Sequence, residues 1–238
     1  MKENIIDRMW YKELSDDQWL FSEERAMEEG TEAAEHLITR PGMTVYDCPC
    51  GDARVSFYLA KKGALVTGMD INPRFIERAK KRFEDAGLCG SFQVGDIRDA
   101  SYPGGCDLYF SWFNSFGYFI DEENRQVMKR IAKCIKPGGR LVIENPIPRH
   151  VIENVTKKYE ENYANVMYSY DSEYKRININ YRDQGVTVSE RIYDRSEYIE
   201  MFEASGLTLL ESYSEHFTPY DENKMRMILI AGKPRIKI

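Results

Sequence analysis

The sequence has no long hydrophobic run, no excess of positive charge and no paired set of cysteines. Its 238 residues include 33 Lys and Arg against 39 Asp and Glu, which gives a formal net charge of -6. A broad surface that neutralises phosphates is therefore not expected, and we expect no nucleic-acid partner. No apolar stretch approaches the roughly 20 residues of a membrane-spanning helix, so we expect no membrane association.

The five cysteines are an odd number and predict no disulfide framework. The first ten residues, MKENIIDRMW, lack the apolar core of a signal peptide, so the expected location is cytoplasmic. Cys48 and Cys50 lie two residues apart, but no second pair of cysteines or histidines completes a zinc set. We expect both to be small buried residues and predict no metal site.

From about residue 43, β-branched runs alternate with helical patterns. Asn72 is the predicted N-cap of a helix that has Pro73 at its first position, and Asp121 is the predicted cap of a later helix that ends at Pro137. Parallel strands need crossover connections, and the helices between these strands can supply them. The sequence therefore predicts an α/β fold of Rossmann-like type, a parallel sheet with helices on both faces.

Residues 147–193 have a different pattern, in which aromatic and β-branched residues alternate in steps of two. This alternation predicts antiparallel strands, with RDQG at 182–185 as a turn. A helix with Asp194 and Glu197 as a capping box then resumes the core. We predict four parts: a helical segment at 1–40, a core at 41–146, an antiparallel β insertion at 147–193 and a completion of the core at 194–238.

The stretch VYDCPCGDAR, residues 45–54, follows the first predicted strand and contains one glycine. A dinucleotide loop uses G-x-G-x-x-G so that backbone amides can approach the diphosphate, whereas Pro49 and Ala53 stand here where glycine would be needed. Pro49 also removes an amide donor. Asp70 ends the second strand, where a carboxylate can accept hydrogen bonds from ribose hydroxyls. The pattern favours a nucleoside ligand that lacks phosphate.

Five segments resemble, in order and spacing, the successive motifs of class I S-adenosylmethionine-dependent methyltransferases: VYDCPCGDAR, VTGMDIN, VGDIRD, CDLYFSWFNSFGYF and IKPGGRLVIE. The resemblance covers roughly residues 40 to 146. It implies a seven-stranded, mostly parallel sheet whose last strand is antiparallel. It also implies S-adenosylmethionine as cofactor and S-adenosylhomocysteine as product.

The resemblance further implies which residues contact the cofactor. Asp70 would bind the ribose hydroxyls, Asp96 the adenine amino group, and Trp112 would line the methionine arm. The segment at 1–40 would cover the cofactor. The role of Arg54, structural or functional, stays open. The full set of expected cofactor contacts is Tyr11, Asp47, Cys50, Gly51, Asp70, Ile71, Asp96, Ile97 and Trp112.

The stretch NSFGYF, residues 114–119, is similar to the corresponding segment of glycine and amino-sugar N-methyltransferases. Asn114 and Tyr118 are therefore predicted near the methyl acceptor. Tyr118, His150 and His216 are the candidate catalytic residues, because a base would help some acceptors to react.

We predict an enzyme that methylates a small molecule, with nitrogen favoured over oxygen or carbon as acceptor. Two alternatives stay open: a protein that binds the cofactor without turnover, and a nucleotide-dependent oxidoreductase. The insertion at 147–193 is predicted to cap the acceptor or to form a homodimer contact.

Overall fold

The computed structural model describes residues 22–154, 166–182 and 185–235. The predicted cofactor contact of Tyr11 lies outside these residues. The helices are α1 (Glu23–Leu37), α2 (Ser56–Lys61), α3 (Pro73–Asp85), α4 (Asp121–Cys134), α5 (Pro148–Asn154) and α6 (Arg195–Ala204). The strands are β1 (Thr44–Asp47), β2 (Leu65–Asp70), β3 (Gly90–Val94), β4 (Cys106–Ser111), β5 (Ile135–Pro146), β6 (Val166–Asp171), β7 (Arg176–Tyr181), β8 (Val186–Arg191), β9 (Thr208–Ser214) and β10 (Arg226–Gly232).

Seven strands form the main sheet, in the order β3-β2-β1-β4-β5-β10-β9. Strands β1 to β5 are parallel, and β10 is antiparallel to both of its neighbours. The predicted seven-stranded sheet with an antiparallel last strand is therefore confirmed. The chain moves outward from β1 to β3 and then returns to β4 on the other side of β1. This reversal of strand order opens a crevice at the carboxyl ends of β1 and β4.

Helices cover both faces of the sheet, as predicted. One face buries α4 and α6 against a cluster that includes Tyr109 and Leu229. The other face buries α1, α2 and α3 against a cluster that includes Val45 and Val142. The alternation of inward-facing residues along the strands therefore supplies two separate apolar layers.

Local signals explain the starts of α3 and α6. Asn72 caps α3, because its side chain accepts a hydrogen bond from the amide of Arg74 at 3.0 Å. Asp194 and Glu197 form the predicted capping box of α6.

The prediction for α4 was wrong at both ends. Ile120 is the N-cap and Asp121 is the first helical residue, whose carboxylate instead accepts a hydrogen bond from the Tyr193 hydroxyl at 2.9 Å. The helix stops at Cys134, and Pro137 lies inside β5. Proline disfavours helical backbone in the residue before it, so the helix ends earlier than the proline itself.

The insertion forms a separate antiparallel sheet in the order β6-β7-β8, which confirms its predicted strands. Of the predicted turn at 182–185, the structure describes the first and last residues. The amide of Gly185 donates to the carbonyl of Arg182 at 3.3 Å. The insertion also contains α5, which the alternation did not predict. None of the helices in the described ranges combines the length and the apolar character that crossing a bilayer requires.

Candidate functional site

The carboxyl ends of β1, β2 and β4 meet at one edge of the main sheet. The parallel register places Asp47 of β1 beside Gly68 of β2 and Phe110 of β4. Asp70 and Ser111 therefore end the two neighbouring strands at nearly the same level. Most of the predicted cofactor residues lie along this edge.

The loop after β1 uses its backbone amides within the protein. The amide of Cys50 donates to the carbonyl of Met69 at 2.9 Å, and the amide of Gly51 donates to Asp70 Oδ2 at 2.8 Å. A bound diphosphate would need amides of this kind as donors. The loop therefore suits a ligand without a diphosphate, as the sequence pattern indicates.

Gly51 has a positive φ of 53°, which favours glycine over residues with a Cβ. A Cβ built on Gly51 would have no atom of the described residues within 4 Å, so none of these residues fills the space beside the loop at this position. Ala53 has a similar φ of 56° without being glycine. The loop thus needs a left-handed backbone at both positions where the chain turns toward α2.

Two buried acids at this edge have raised pKa values. Burial raises the pKa of Asp47 to about 8, although a hydrogen bond with Ser56 acts in the opposite direction. Burial also raises the pKa of Asp70 to about 6, against the lowering effect of hydrogen bonds from the amides of Asn72 and Gly51. Both carboxylates would be stabilised by a cation or by hydroxyl donors in the crevice.

Arg54 has a structural role in this loop. Its guanidinium binds both carboxylate oxygens of Asp52, at 2.8 and 2.9 Å, and both side chains are buried. Arg82 of α3 joins Asp52 at 3.0 Å and Glu23 of α1 at 2.7 Å. Burial alone would raise the pKa of Asp52, but Arg54 and Arg82 together hold it below its usual range. The network ties the loop to α1 and α3.

Asp96 lies at the end of β3, where its carboxylate caps the turn 97–99. It accepts hydrogen bonds from the amide of Arg98 at 2.8 Å and from the guanidinium of the same residue at 2.7 Å. Ile97 is buried beside it, and Ile71 is partly buried after β2. The contacts of Asp96, Ile97 and Ile71 with adenine remain predictions.

Helix α1 is held against the crevice by Glu29. Its carboxylate accepts a hydrogen bond from Trp112 Nε1 at 2.8 Å and pairs with Arg226 of β10 at 3.3 Å. The indole of Trp112 stacks on Phe110 at 5.1 Å between ring centroids. Sequence reasoning placed Trp112 at this edge but missed Glu29, because a helical glutamate gives no local signal of a contact 83 residues away.

The segment after β4 has an unusual backbone. Phe113 and Asn114 both have positive φ values, of 56° and 54°. The amide of Phe113 donates to Glu144 Oε2 at 2.8 Å, and the amide of Asn114 donates to the Glu144 carbonyl at 3.1 Å. Such conformations persist where the surrounding contacts fix them, and they concentrate at functional sites.

The same segment joins the crevice to the insertion. Asn145 of β5 donates to Asn114 Oδ1 at 2.6 Å, and Asn114 Nδ2 donates to the carboxylate of Glu190 of β8. The backbone of Arg191 also donates to the carbonyl of Gly117 at 2.7 Å. Asn114 and Tyr118 are therefore brought together with a buried glutamate of the insertion.

Glu190 was missed in the sequence, although a signal was present. It is in phase with Val186 and Val188, two residues apart along the strand, and all three side chains are buried. A glutamate on the buried face of a strand is unusual enough to mark a functional candidate.

The two candidate histidines occupy different places. His216 lies in the turn 215–217, where its Nδ1 is 3.0 Å from the Glu32 carboxylate of α1, and this hydrogen bond raises the pKa of the imidazole. Its side chain is half exposed. His150 lies in α5 and is partly buried. Catalytic roles for both residues remain predictions.

Residues 45–139 match a protein-family profile described as a methyltransferase domain. Among curated proteins, Methyltransferase GfsG from Streptomyces halstedii is 30% identical over 132 residues, which are 55% of this chain and 47% of that protein. The chain thus spans about half the length of that relative. A ubiquinone biosynthesis O-methyltransferase from Coxiella burnetii is 27% identical over 185 residues, which are 78% of this chain and 72% of that protein.

The fold is similar to that of the CcbJ methyltransferase from Streptomyces caelestis. The two structures align with a TM-score of 0.74 at 17% identity, over 97% of this chain and 100% of the other. Four features indicate the same class of enzyme. They are the strand order, the loop whose amides bond within the protein, the buried acids at the sheet edge and the family profile. The chain carries a methyltransferase domain at residues 45–139 and has the fold of class I S-adenosylmethionine-dependent methyltransferases.

Proposed function

We propose that this enzyme methylates a small-molecule acceptor, and that an amine nitrogen is favoured over oxygen or carbon. The main support is the contact between the segment after β4 and strand β8 of the insertion. There, the Asn114 side chain donates a hydrogen bond to the Glu190 carboxylate. We call this contact the joint. This joint forms a polar, largely buried surface next to the end of β4. A surface of this kind suits one small polar group better than an extended polymer.

The residues at the sheet edge fit the cofactor. The carboxylate of Asp70 would bind ribose hydroxyls, the open space at Gly51 would admit the ligand, and Asp47 would face the positively charged methionine end. Cys50, Ile71, Asp96, Ile97 and Trp112 would complete the contacts, with α1 covering them through Glu29. When bound, S-adenosylmethionine supplies an electrophilic methyl group on a positively charged sulfur.

The protein's own contribution would be alignment and exclusion of water. Positioning of reactants can lower a barrier by roughly 7 to 11 kcal/mol. Asn114 is fixed by hydrogen bonds to Asn145 and Glu190, so it can hold an acceptor in one orientation. Tyr118 packs in an apolar cluster with Tyr181, Val186 and Val188 of the insertion, which would keep water away.

Oxygen is the second candidate acceptor. The relative from Coxiella burnetii is an O-methyltransferase by name, and it matches 78% of this chain. A hydroxyl acceptor would need a base with a suitable pKa. Tyr118, His150 and His216 are the candidates for that role.

The test is transfer of a labelled methyl group from S-adenosylmethionine to a fractionated pool of small metabolites, followed by mass analysis of the labelled product. We expect a methylated small molecule with the native enzyme. Asp70→Ala should weaken cofactor affinity about tenfold to a thousandfold, since it removes charge-assisted hydrogen bonds. Asp85→Ala removes an exposed carboxylate of α3 and serves as the control. Cofactor binding without any labelled product would favour a protein that binds without turnover.

A further inference from the structure

Glu190 is a buried carboxylate that the cofactor site does not use. It lies on β8, with 5% of its surface exposed, and Asn114 Nδ2 donates a hydrogen bond to it. The neighbouring Arg191 amide bonds to Gly117 at 2.7 Å, so β8 is fixed against the segment that follows β4. The position of Glu190 relative to this segment is therefore set by backbone as well as by side chain.

Among the described residues, the charged and titratable groups around Glu190 are Arg176 and Tyr181 of β7 and Tyr118 of the segment after β4. Arg176 directs its guanidinium to Ser189 Oγ at 2.8 Å and to the carbonyl of Phe119 at 2.8 Å. Burial raises the pKa of Glu190 to about 7, while the charge of Arg176 and the hydrogen bond from Asn114 act against this rise. Ionisation of the Glu190 carboxyl group is therefore unfavourable unless a further cation or hydrogen-bond donor binds beside it.

Tyr118 connects Glu190 to the cofactor edge. Its pKa is raised by burial and then by the negative charges of Glu190 and Asp70, so both carboxylates lie within electrostatic range of one hydroxyl. In the same region, Asn145 Oδ1 and Ser111 Oγ are buried and have no hydrogen-bond partner among the described residues. Buried polar atoms without partners are uncommon in native proteins and indicate a place for a ligand or water.

We propose that Glu190 binds the ammonium group of the acceptor and accepts its proton, which makes the acceptor a small primary or secondary amine. This inference rests on the proposed function. The N–H bond of the ammonium breaks, the proton forms an O–H bond with the Glu190 carboxylate, and the electron pair stays on nitrogen. The neutral amine could then attack the methyl group of S-adenosylmethionine: the N–C bond would form as the C–S bond breaks, and the electron pair of the C–S bond would stay on sulfur in S-adenosylhomocysteine. Glu190 later releases its proton to water.

A carboxylate of this basicity suits an amine better than an alcohol. An ammonium ion is attracted to the buried negative charge before any reaction, whereas a neutral hydroxyl gains only a hydrogen bond. An alcohol proton is also far too weakly acidic for a group that titrates near neutral pH. The site therefore selects its substrate by charge.

The test is a binding measurement that needs no knowledge of the natural acceptor. The probes are analogues of S-adenosylhomocysteine in which nitrogen replaces sulfur and carries an arm of two to four carbons. The arm ends in an ammonium group in one series and in a hydroxyl group in the other. Calorimetry compares the native enzyme with Glu190→Gln, which keeps an acceptor oxygen for Asn114, and with Glu200→Gln, which removes an exposed carboxylate of α6.

We expect the native enzyme and Glu200→Gln to bind the best ammonium probe at least about tenfold more tightly than its hydroxyl partner. In Glu190→Gln the two probes should bind within about threefold of each other, with S-adenosylhomocysteine affinity unchanged. An equal preference in all three proteins, or no preference in the native enzyme, would overturn the role of Glu190. Failure of S-adenosylhomocysteine itself to bind would instead contradict the proposed function.

A second measurement covers the case in which Glu190→Gln does not fold. In the native enzyme, the preference for the ammonium probe should shrink between pH 8 and pH 5.5, because the Glu190 carboxylate becomes protonated. The affinity ratio between the two probes at each pH removes effects that act on the cofactor part alone. A ratio that stays constant over this range would contradict the proposal.

Discussion

At the scale of single residues, the loop after β1 depends on the left-handed backbone of Gly51. Gly51→Ala should cost about 1 to 2 kcal/mol of unfolding free energy, because a Cβ is strained at this φ. The added methyl group would also enter the open space beside the loop, so affinity for S-adenosylhomocysteine should fall. Denaturant unfolding and calorimetry measure the two effects.

Gly87→Ala is the matched control for this change. Gly87 follows α3 with a φ of 64°, and a Cβ there also has no atom within 4 Å in the described part of the chain. It should lose similar stability with no change in cofactor affinity. Equal affinities in Gly51→Ala and Gly87→Ala would show that the loop does not contact the ligand.

The raised pKa values of Asp47 and Asp70 predict a dependence of stability on pH. A carboxyl group with a pKa of about 8 or about 6 in the folded state binds its proton more tightly than in the unfolded state. The two acids therefore favour the ligand-free fold at low pH, and this contribution is lost as the pH rises from about 4 through 8. Melting temperatures of the native enzyme and Asp47→Asn, plotted against pH, should differ in slope between about pH 4 and pH 8, with the variant flatter, and should run parallel above pH 8.

Cofactor binding should show the opposite trend. Hydroxyl donors stabilise the ionised form of Asp70. As the pH rises toward 6, the affinity for S-adenosylhomocysteine should therefore increase by up to about tenfold per pH unit. Calorimetry in buffers of different ionisation enthalpy would also detect proton release on binding. Affinity that is constant between pH 5 and pH 7 would contradict the placement of Asp70 against the ligand.

At the scale of elements, α1 is held over the crevice by the bonds of Glu29 to Trp112 and Arg226. Glu29→Ala leaves a buried indole N–H and a guanidinium without this partner, which costs roughly 1 to 3 kcal/mol locally. We expect faster amide hydrogen exchange across Glu23–Leu37 and about tenfold weaker binding of S-adenosylhomocysteine. Glu35→Ala, at an exposed position of the same helix, should change neither.

The joint between the insertion and the main sheet depends on Gly117. Its φ is 113°, and a Cβ there would collide with the carbonyl oxygen of Arg191. Gly117→Ala should lose at least about 2 kcal/mol more than Gly206→Ala, a change at positive φ with open space. Unfolding free energies of the two variants test this, and equal losses would mean that the insertion is not locked at Gly117.

At the scale of the whole molecule, the sequence was sufficient to predict the main sheet and the helices that cover it. Periodicity and caps such as Asn72 are local signals, and each one agrees with the final fold. The end of α4 was not predictable from Pro137 alone, because the strand pairing of Ile135 with Cys106 also decides where the helix stops. Helix α5 was missed because it lies in a stretch without helical periodicity.

Some residues of the candidate site could likewise be predicted from the sequence, and others could not. Asp47, Gly51 and Asp70 lie at strand ends in recognisable motifs, so their positions followed from the chain itself. Glu29 and Glu190 lie 83 and 76 residues along the chain from the partners they contact. The helical pattern around Glu29 gives no sign of its contact. The phase of β8 marks Glu190 as unusual, but it does not identify Asn114 as the partner. The acceptor side is therefore the part of the molecule that required three-dimensional information.

The crevice between β1 and β4 should bind an adenosyl compound that lacks a diphosphate. Titration calorimetry of the native enzyme with S-adenosylhomocysteine, and separately with NAD, tests it directly. We expect micromolar binding of S-adenosylhomocysteine and no heat from NAD. Binding of NAD without binding of S-adenosylhomocysteine would contradict it.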